Sequence, residues 1–150
     1  MRIKTIMASL SVAAVLSFPA LAERDRAESA LEFRQGAFNV IAWSFGPMAG
    51  MVKNKMPYDA ALFSEHAERV AYLAKLPLEG FIADSKVGDT TAKQKVWDQP
   101  EEFKAQMDAM IREADKLVEV AKAGDLDAIR PQFGALGNTC KECHDDYRTE

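Results

Sequence analysis

Leu126-Asp127-Ala128-Ile129-Arg130-Pro131-Gln132-Phe133-Gly134-Ala135-Leu136-Gly137-Asn138-Thr139-Cys140-Lys141-Glu142-Cys143-His144-Asp145-Asp146-Tyr147 is the stretch that decides how this chain folds. Leu126, Ile129, Phe133, Leu136, Cys140, Cys143, His144 and Tyr147 recur in steps of one, three and four, the repeat of a helix that hides one face. Gly124-Asp125, just ahead of it, reads as a helix stop followed at once by a helix start. Glycine takes the left-handed backbone of a C-cap at little cost, and aspartate accepts from the free amides of the next first turn. So short a link makes the two helices antiparallel neighbours. Pro131, lacking an amide donor, is expected to bend the first turns.

Working outward, Pro100 suits the first turn of the preceding helix, with Glu101 and Glu102 facing its positive end. Phe103, Met107, Met110, Ala114, Leu117 or Val118, and Ala121 mark its buried face. Further upstream, Asp59 reads as an N-cap, Phe63, Ala67, Val70, Leu73 and Leu76 form a stripe, and Pro77 ends it. The first helix carries Ala27, Leu31, Arg34, Phe38, Ile41, Phe45 and Met48 on one face, with Pro47 a candidate kink. Residues 79–99 have no sustained period and read as a long surface connection, with Trp97 as an anchor against the core. No segment alternates long enough to suggest a strand. The expected fold is all-α: an antiparallel four-helix bundle.

The chain has 150 residues, 48% hydrophobic and 28% charged, the size of one domain with room for a core and a cofactor. Residues 1–22 look like a leader: Arg2 and Lys4, an apolar run from Ile6 to Pro19, then Ala20-Leu21-Ala22 as a cleavage signal. The run is too short to span about 30 Å of hydrocarbon, and Glu23-Arg24-Asp25-Arg26 follows at once. Cleavage after Ala22 would leave a bundle domain over residues 23–150, exported to the periplasm. Losing Arg2 and Lys4 takes the formal charge from −4 to −6. A modest acidic excess argues against nucleic acid and against an anionic membrane as partners.

Cys140-Lys141-Glu142-Cys143-His144 has the C-x-x-C-H spacing of haem attachment. On a helix, positions i, i+3 and i+4 share a face, so two thiols can meet two vinyl groups while the imidazole points at the iron. The reading assigns thioethers to Cys140 and Cys143 and the proximal metal-ligating nitrogen to His144, holding one covalently bound haem c near the C-terminal helix. Competing readings are a disulfide, a thioredoxin-like redox pair and a zinc site. The redox pair belongs beside a βαβ pattern, and zinc would need ligands beyond His66.

Arg34 stands on an apolar face between Leu31 and Phe38. A buried guanidinium needs partners, and two haem propionates would supply them; the plain alternative is a side chain snorkelling into solvent. For the second axial position the upstream candidates are His66, placed at the margin of the bundle, and Met48, Met51, Met56, Met107 and Met110, which at helical spacing read more simply as core filler.

A C-terminal attachment motif on the last helix of a bundle resembles the cytochrome c-prime family. Phe33-Arg34-Gln35, Pro57-Tyr58-Asp59-Ala60-Ala61, Trp97, Ala123-Gly124-Asp125-Leu126 and the run from Phe133-Gly134 through Cys143-His144 to Tyr147-Arg148 carry the likeness. The resemblance implies a five-coordinate, high-spin haem under an apolar distal face, in a homodimer. Phe38 matches the side chain that covers the vacant side of the iron, where many members have Leu or Met. Arg148 matches the basic residue beside the proximal histidine, and it also follows His144 by one helical turn. The implied function is uptake of nitric oxide and carbon monoxide, with electron exchange through an unidentified redox partner left open. The alternative is a low-spin, six-coordinate electron carrier of the cytochrome c-556 type. No constellation for substrate turnover is legible, so the chain reads as a binding protein and not an enzyme. Exposed Val40, Trp43 and Leu62 are compatible with a dimer.

Cys140→Ala or Cys143→Ala each removes one thioether and is expected to weaken covalent haem retention. Acid–acetone extraction checks this, and a wild-type protein that releases all its haem would overturn the attachment reading.

Overall fold

A computed structural model describes residues 19–149. Helix α1 spans Pro19–Val52, α2 Ala60–Leu73, α3 Lys95–Asp98, α4 Pro100–Ala121 and α5 Leu126–Tyr147, with a 3-10 turn at Pro77–Gly80. Four long helices form the bundle, as the periodicity predicts. The expected leader lies, but for Pro19–Ala22, outside the described residues. Among the described residues no helix is long and apolar enough to cross a membrane.

The helix ends follow from local chemistry. Asp59 accepts from Leu62 N at 3.0 Å and Asp125 from Asp127 N at 2.9 Å, each meeting one orphan amide of a first turn. Gly124 has φ +69, the left-handed conformation that ends α4. Pro100 opens α4 and gives up an amide that would have no partner there. Pro47 and Pro131 stop neither helix; α1 continues to Val52 and α5 to Tyr147. The α2 stripe ends earlier than the pattern suggests, at Leu73, because Pro77 starts a separate 3-10 turn.

The buried face of α1 differs from its apolar pattern. Ala37 and Ser44 are buried where Phe38 and Phe45 are only half-buried. Ala27, Leu31, Arg34, Ala37, Ile41, Ser44, Met48 and Met51 keep an average spacing near the 3.5 residues of a supercoiled seam. His66 is also deeper than expected: it is 7% exposed, because α2 packs on both α1 and α4 and hides a wider face.

Around the bundle α1 packs on α2, α2 on α4 and α4 on α5, while α1 and α5 meet only sparsely. They are tied at one end, where Arg130 Nε donates to Val52 O at 3.2 Å and Arg130 Nη2 to Asn54 Oδ1 at 2.9 Å. Phe63, Met107, Leu117, Ile129 and Leu136 fill the interior between the tight seams. Phe45 stacks on Phe133 at 4.4 Å, and Phe63 meets the edge of that ring at 6.3 Å.

Phe63→Ala should cost about 3–5 kcal/mol, since a large void would remain. Asp125→Ala should cost about 1 kcal/mol through the lost cap. Urea midpoints at unchanged slope measure both, and equal losses would mean that the core does not carry the stability assigned to it.

Candidate haem crevice

At the open end of the α1–α5 seam lies a cavity of about 360 Å³. Arg34, Gln35, Phe38 and Asn39 of α1 form one wall, and Cys143, His144, Tyr147 and Arg148 the wall opposite. Phe81, Thr90, Thr91, Ala92 and Val96 of the long connection, with Phe103 of α4, complete the lining. The sequence thus places Arg34, Phe38, Cys143, His144 and Arg148 in one cavity. Cys140 is half-buried against the core one turn away, and Trp97 stands behind the wall: its ring is 6.1 Å from that of Phe81, and its indole N–H donates to Ile82 O at 2.9 Å.

Burial raises the Cys140 thiol above its ordinary range and pushes Cys143 up to about 11, with Cys140 and Asp146 adding to the rise at Cys143. A catalytic redox pair needs the opposite, a thiolate stabilised near neutrality, so the thioredoxin-like reading lacks an electrostatic basis. Both cysteines are free thiols in the structure. Among the described residues no three His, Cys, Asp or Glu side chains gather where a metal could sit, so the zinc reading finds no further ligand. Burial, then the charge of Arg148, lowers the His144 pKa, which favours the neutral imidazole that ligates metals.

Arg34 is 2% exposed and does not snorkel. Its partners are uncharged: Nη1 donates to Gly80 O at 2.6 Å and Ser85 Oγ at 3.1 Å, and Nη2 to Ser85 O at 2.7 Å and Thr90 Oγ1 at 3.4 Å. The guanidinium carbon lies 4.8 Å from the Phe81 ring centroid and 5.6 Å from that of Trp97. Thus both terminal nitrogens of the guanidinium are bonded without a carboxylate, and burial lowers its pKa. Among the described residues none that lines the cavity is an Asp or Glu, although the chain as a whole is acidic.

Met48, Met51, Met107 and Met110 are core residues, as expected, and neither they nor His66 and Met56 line the cavity. Phe81, Thr90 and Thr91 escaped the sequence reading because they lie in an aperiodic segment. Phe103 and Tyr147 lie on apolar helical stripes that serve the core and the crevice together.

A family model described as Cytochrome C′ matches residues 29–148. The chain belongs to the cytochrome c′ family. A cytochrome c′ from Halomonas halodenitrificans is 37% identical over 129 residues, covering 82% of this chain and 98% of that one. A solved cytochrome c prime from Shewanella frigidimarina superimposes with a TM-score of 0.80 at 44% identity, covering 83% and 97% of the two chains. A nitric oxide complex of a cytochrome c prime variant from Alcaligenes xylosoxidans gives 0.77 at 37%, covering 83% and 97%. The cytochrome c′ family binds haem c, and this cavity suits such a group: aromatic and aliphatic side chains in its lining, two arginines with no carboxylate partner among the described residues, and a thiol beside an imidazole that burial keeps toward its neutral form.

Arg34→Met would leave the Gly80 and Ser85 acceptors buried and unpaired, so a loss of about 2–4 kcal/mol is expected in the holoprotein. Chemical denaturation followed by circular dichroism measures it; a change below about 0.5 kcal/mol, the size of an ordinary surface substitution, would mean these bonds are unimportant.

Proposed function

We propose that this chain is an exported, periplasmic cytochrome c′ that binds nitric oxide, and carbon monoxide, at one haem whose sixth iron position is left open. The observation that carries this is the composition of the two facing walls. Cys143 and His144 stand on α5 and apolar Phe38 on α1, and among the described lining residues His144 is the one imidazole, with no thioether or carboxylate beside it.

Bound haem supplies an iron atom that coordinates small diatomic molecules. The rest is the work of this chain's own residues. Cys140 and Cys143 would provide thiols for two thioether bonds, and His144 the proximal nitrogen. Arg148 and Arg34 would supply cations for the two propionates. Phe38 would cover the open side of the iron and exclude water. It offers no hydrogen bond to a polarised oxygen ligand, which favours nitric oxide and carbon monoxide over stable oxygen carriage. The relative solved as a nitric oxide complex supports this choice of ligand. The low-spin electron-carrier alternative is disfavoured because Met48, Met51, Met107 and Met110 lie in the core and Met56, which is exposed, does not line the cavity. Val40 and Trp43 are 44% and 77% exposed on α1, an apolar strip that supports the homodimer reading; Leu62 is half-buried.

An optical spectrum of the reduced protein tests the proposal: a high-spin form that changes on adding carbon monoxide is expected, and a low-spin form indifferent to it would overturn it. Displacing a packed ring costs about 1–3 kcal/mol, or roughly 5- to 150-fold in affinity. Phe38→Ala should therefore speed carbon monoxide association and tighten binding while leaving the covalent attachment intact. Equal rates in the two proteins would show that Phe38 does not guard the iron.

A further inference from the structure

Residues 80–92 run as a strap between α1 and the end of α5, with Phe81, Thr90, Thr91 and Ala92 lining the crevice, and its two edges are fastened by different means. On the α5 side the bonds run through the backbone. Ala92 pairs with Arg148 as an antiparallel bridge, and Thr149 N donates to Thr91 O at 2.8 Å. The next residue, Lys93, donates its backbone N–H to Tyr147 O at 2.8 Å. On the α1 side every fastening is a side chain. Arg34 holds Gly80, Ser85 and Thr90, and Gln35 Nε2 donates to Asp89 O at 3.1 Å. Between these edges Asp84 and Gly88 sit at positive φ, 60° and 53°. They give the strap its two sharp turns.

A buried cation bonded only to carbonyls and hydroxyls is a strong but reversible fastening, since water can replace each partner once the strap lifts. The geometry points to a hinged strap. The backbone pairing to the end of α5 is the hinge, Arg34 is the latch, and opening on the α1 side admits ligands to the crevice. Arg34 is on this account a positioning residue, acting on entry through the strap as well as facing a propionate. This rests on the gas-binding reading for the ligand that enters.

Gly80 allows the latch to be tested without touching the guanidinium. A Cβ there would lie 2.7 Å from Ala30 O and 2.8 Å from Arg34 Cβ, so Gly80→Ala must push the strap off α1. Gly36→Ala, with open space around its Cβ, is the control on α1. Both are made as holoprotein, with haem retention checked by extraction. Amide hydrogen exchange over residues 81–92 and carbon monoxide association to the reduced protein are then measured. Losing one hydrogen bond to a charged donor should raise the open fraction about tenfold or more. Gly80→Ala should therefore accelerate both exchange and association, and Gly36→Ala neither. Ser85→Ala, which removes one acceptor of Arg34, gives the same test in smaller measure if Gly80→Ala does not fold.

Faster exchange with unchanged association would overturn the gate. Unchanged exchange in a folded Gly80→Ala protein would overturn the latch. A wild type that binds no carbon monoxide overturns the gas-binding reading and the gating claim together, and exchange then judges the latch by itself.

Discussion

α1 and α5 are held apart at one end of the bundle, and much of what is distinctive in this molecule follows from that separation. Three seams are closed by ordinary apolar packing, and the fourth opens into a crevice. An unfilled space of this kind is destabilising, because the side chains around it lose dispersion partners. The bundle therefore depends on whatever occupies the crevice and on whatever roofs it. Phe81 and Phe103, 4.7 Å apart edge to face, belong to both the core and the crevice wall, as does Tyr147 at 5.1 Å from Phe103. Changes in the crevice are thereby transmitted into packing.

Electrostatics makes the same location exceptional. The chain carries a formal charge of −4, yet two arginines face a cavity lined by no carboxylate. Several surface cations elsewhere are matched locally, among them Lys104 with Asp108, Lys116 with Glu113 and Lys141 with Asp145. Such exposed pairs contribute little to stability. Unmatched cations at the crevice are a different matter, since they raise the affinity of that one place for an apolar plate with acidic edges. Recognition of the cofactor thus combines apolar burial, covalent capture and charge in a small volume.

Much of this is legible in the sequence, for physical reasons that differ by element. Helix ends are short-range chemistry, so Asp59, Pro100, Gly124 and Asp125 announce them residue by residue. The attachment motif is legible because three side chains must share one helical face. Arg34 stands out as a charge on an apolar stripe, but its partners do not, because carbonyls of Gly80 and Ser85 have no signature in a string of residue names. For the same reason residues 79–99 read as featureless, although they form the strap, a 3-10 turn and α3. On α1, apolarity draws attention to Phe38 and Phe45, whereas close helix packing selects Ala37 and Ser44; shape outweighs hydrophobicity where two helices touch.

The two tryptophans occupy opposite situations, and that makes the protein's own light emission informative. Trp43 projects into solvent from the outer face of α1, so its emission reports what that face meets. Trp97 is tied by its indole N–H to Ile82, at the root of the strap and behind the crevice wall. A dye-free fluorescence measurement therefore carries two separable signals, one from the outside of the bundle and one from the strap near Ile82. Replacing either indole with phenylalanine isolates the other.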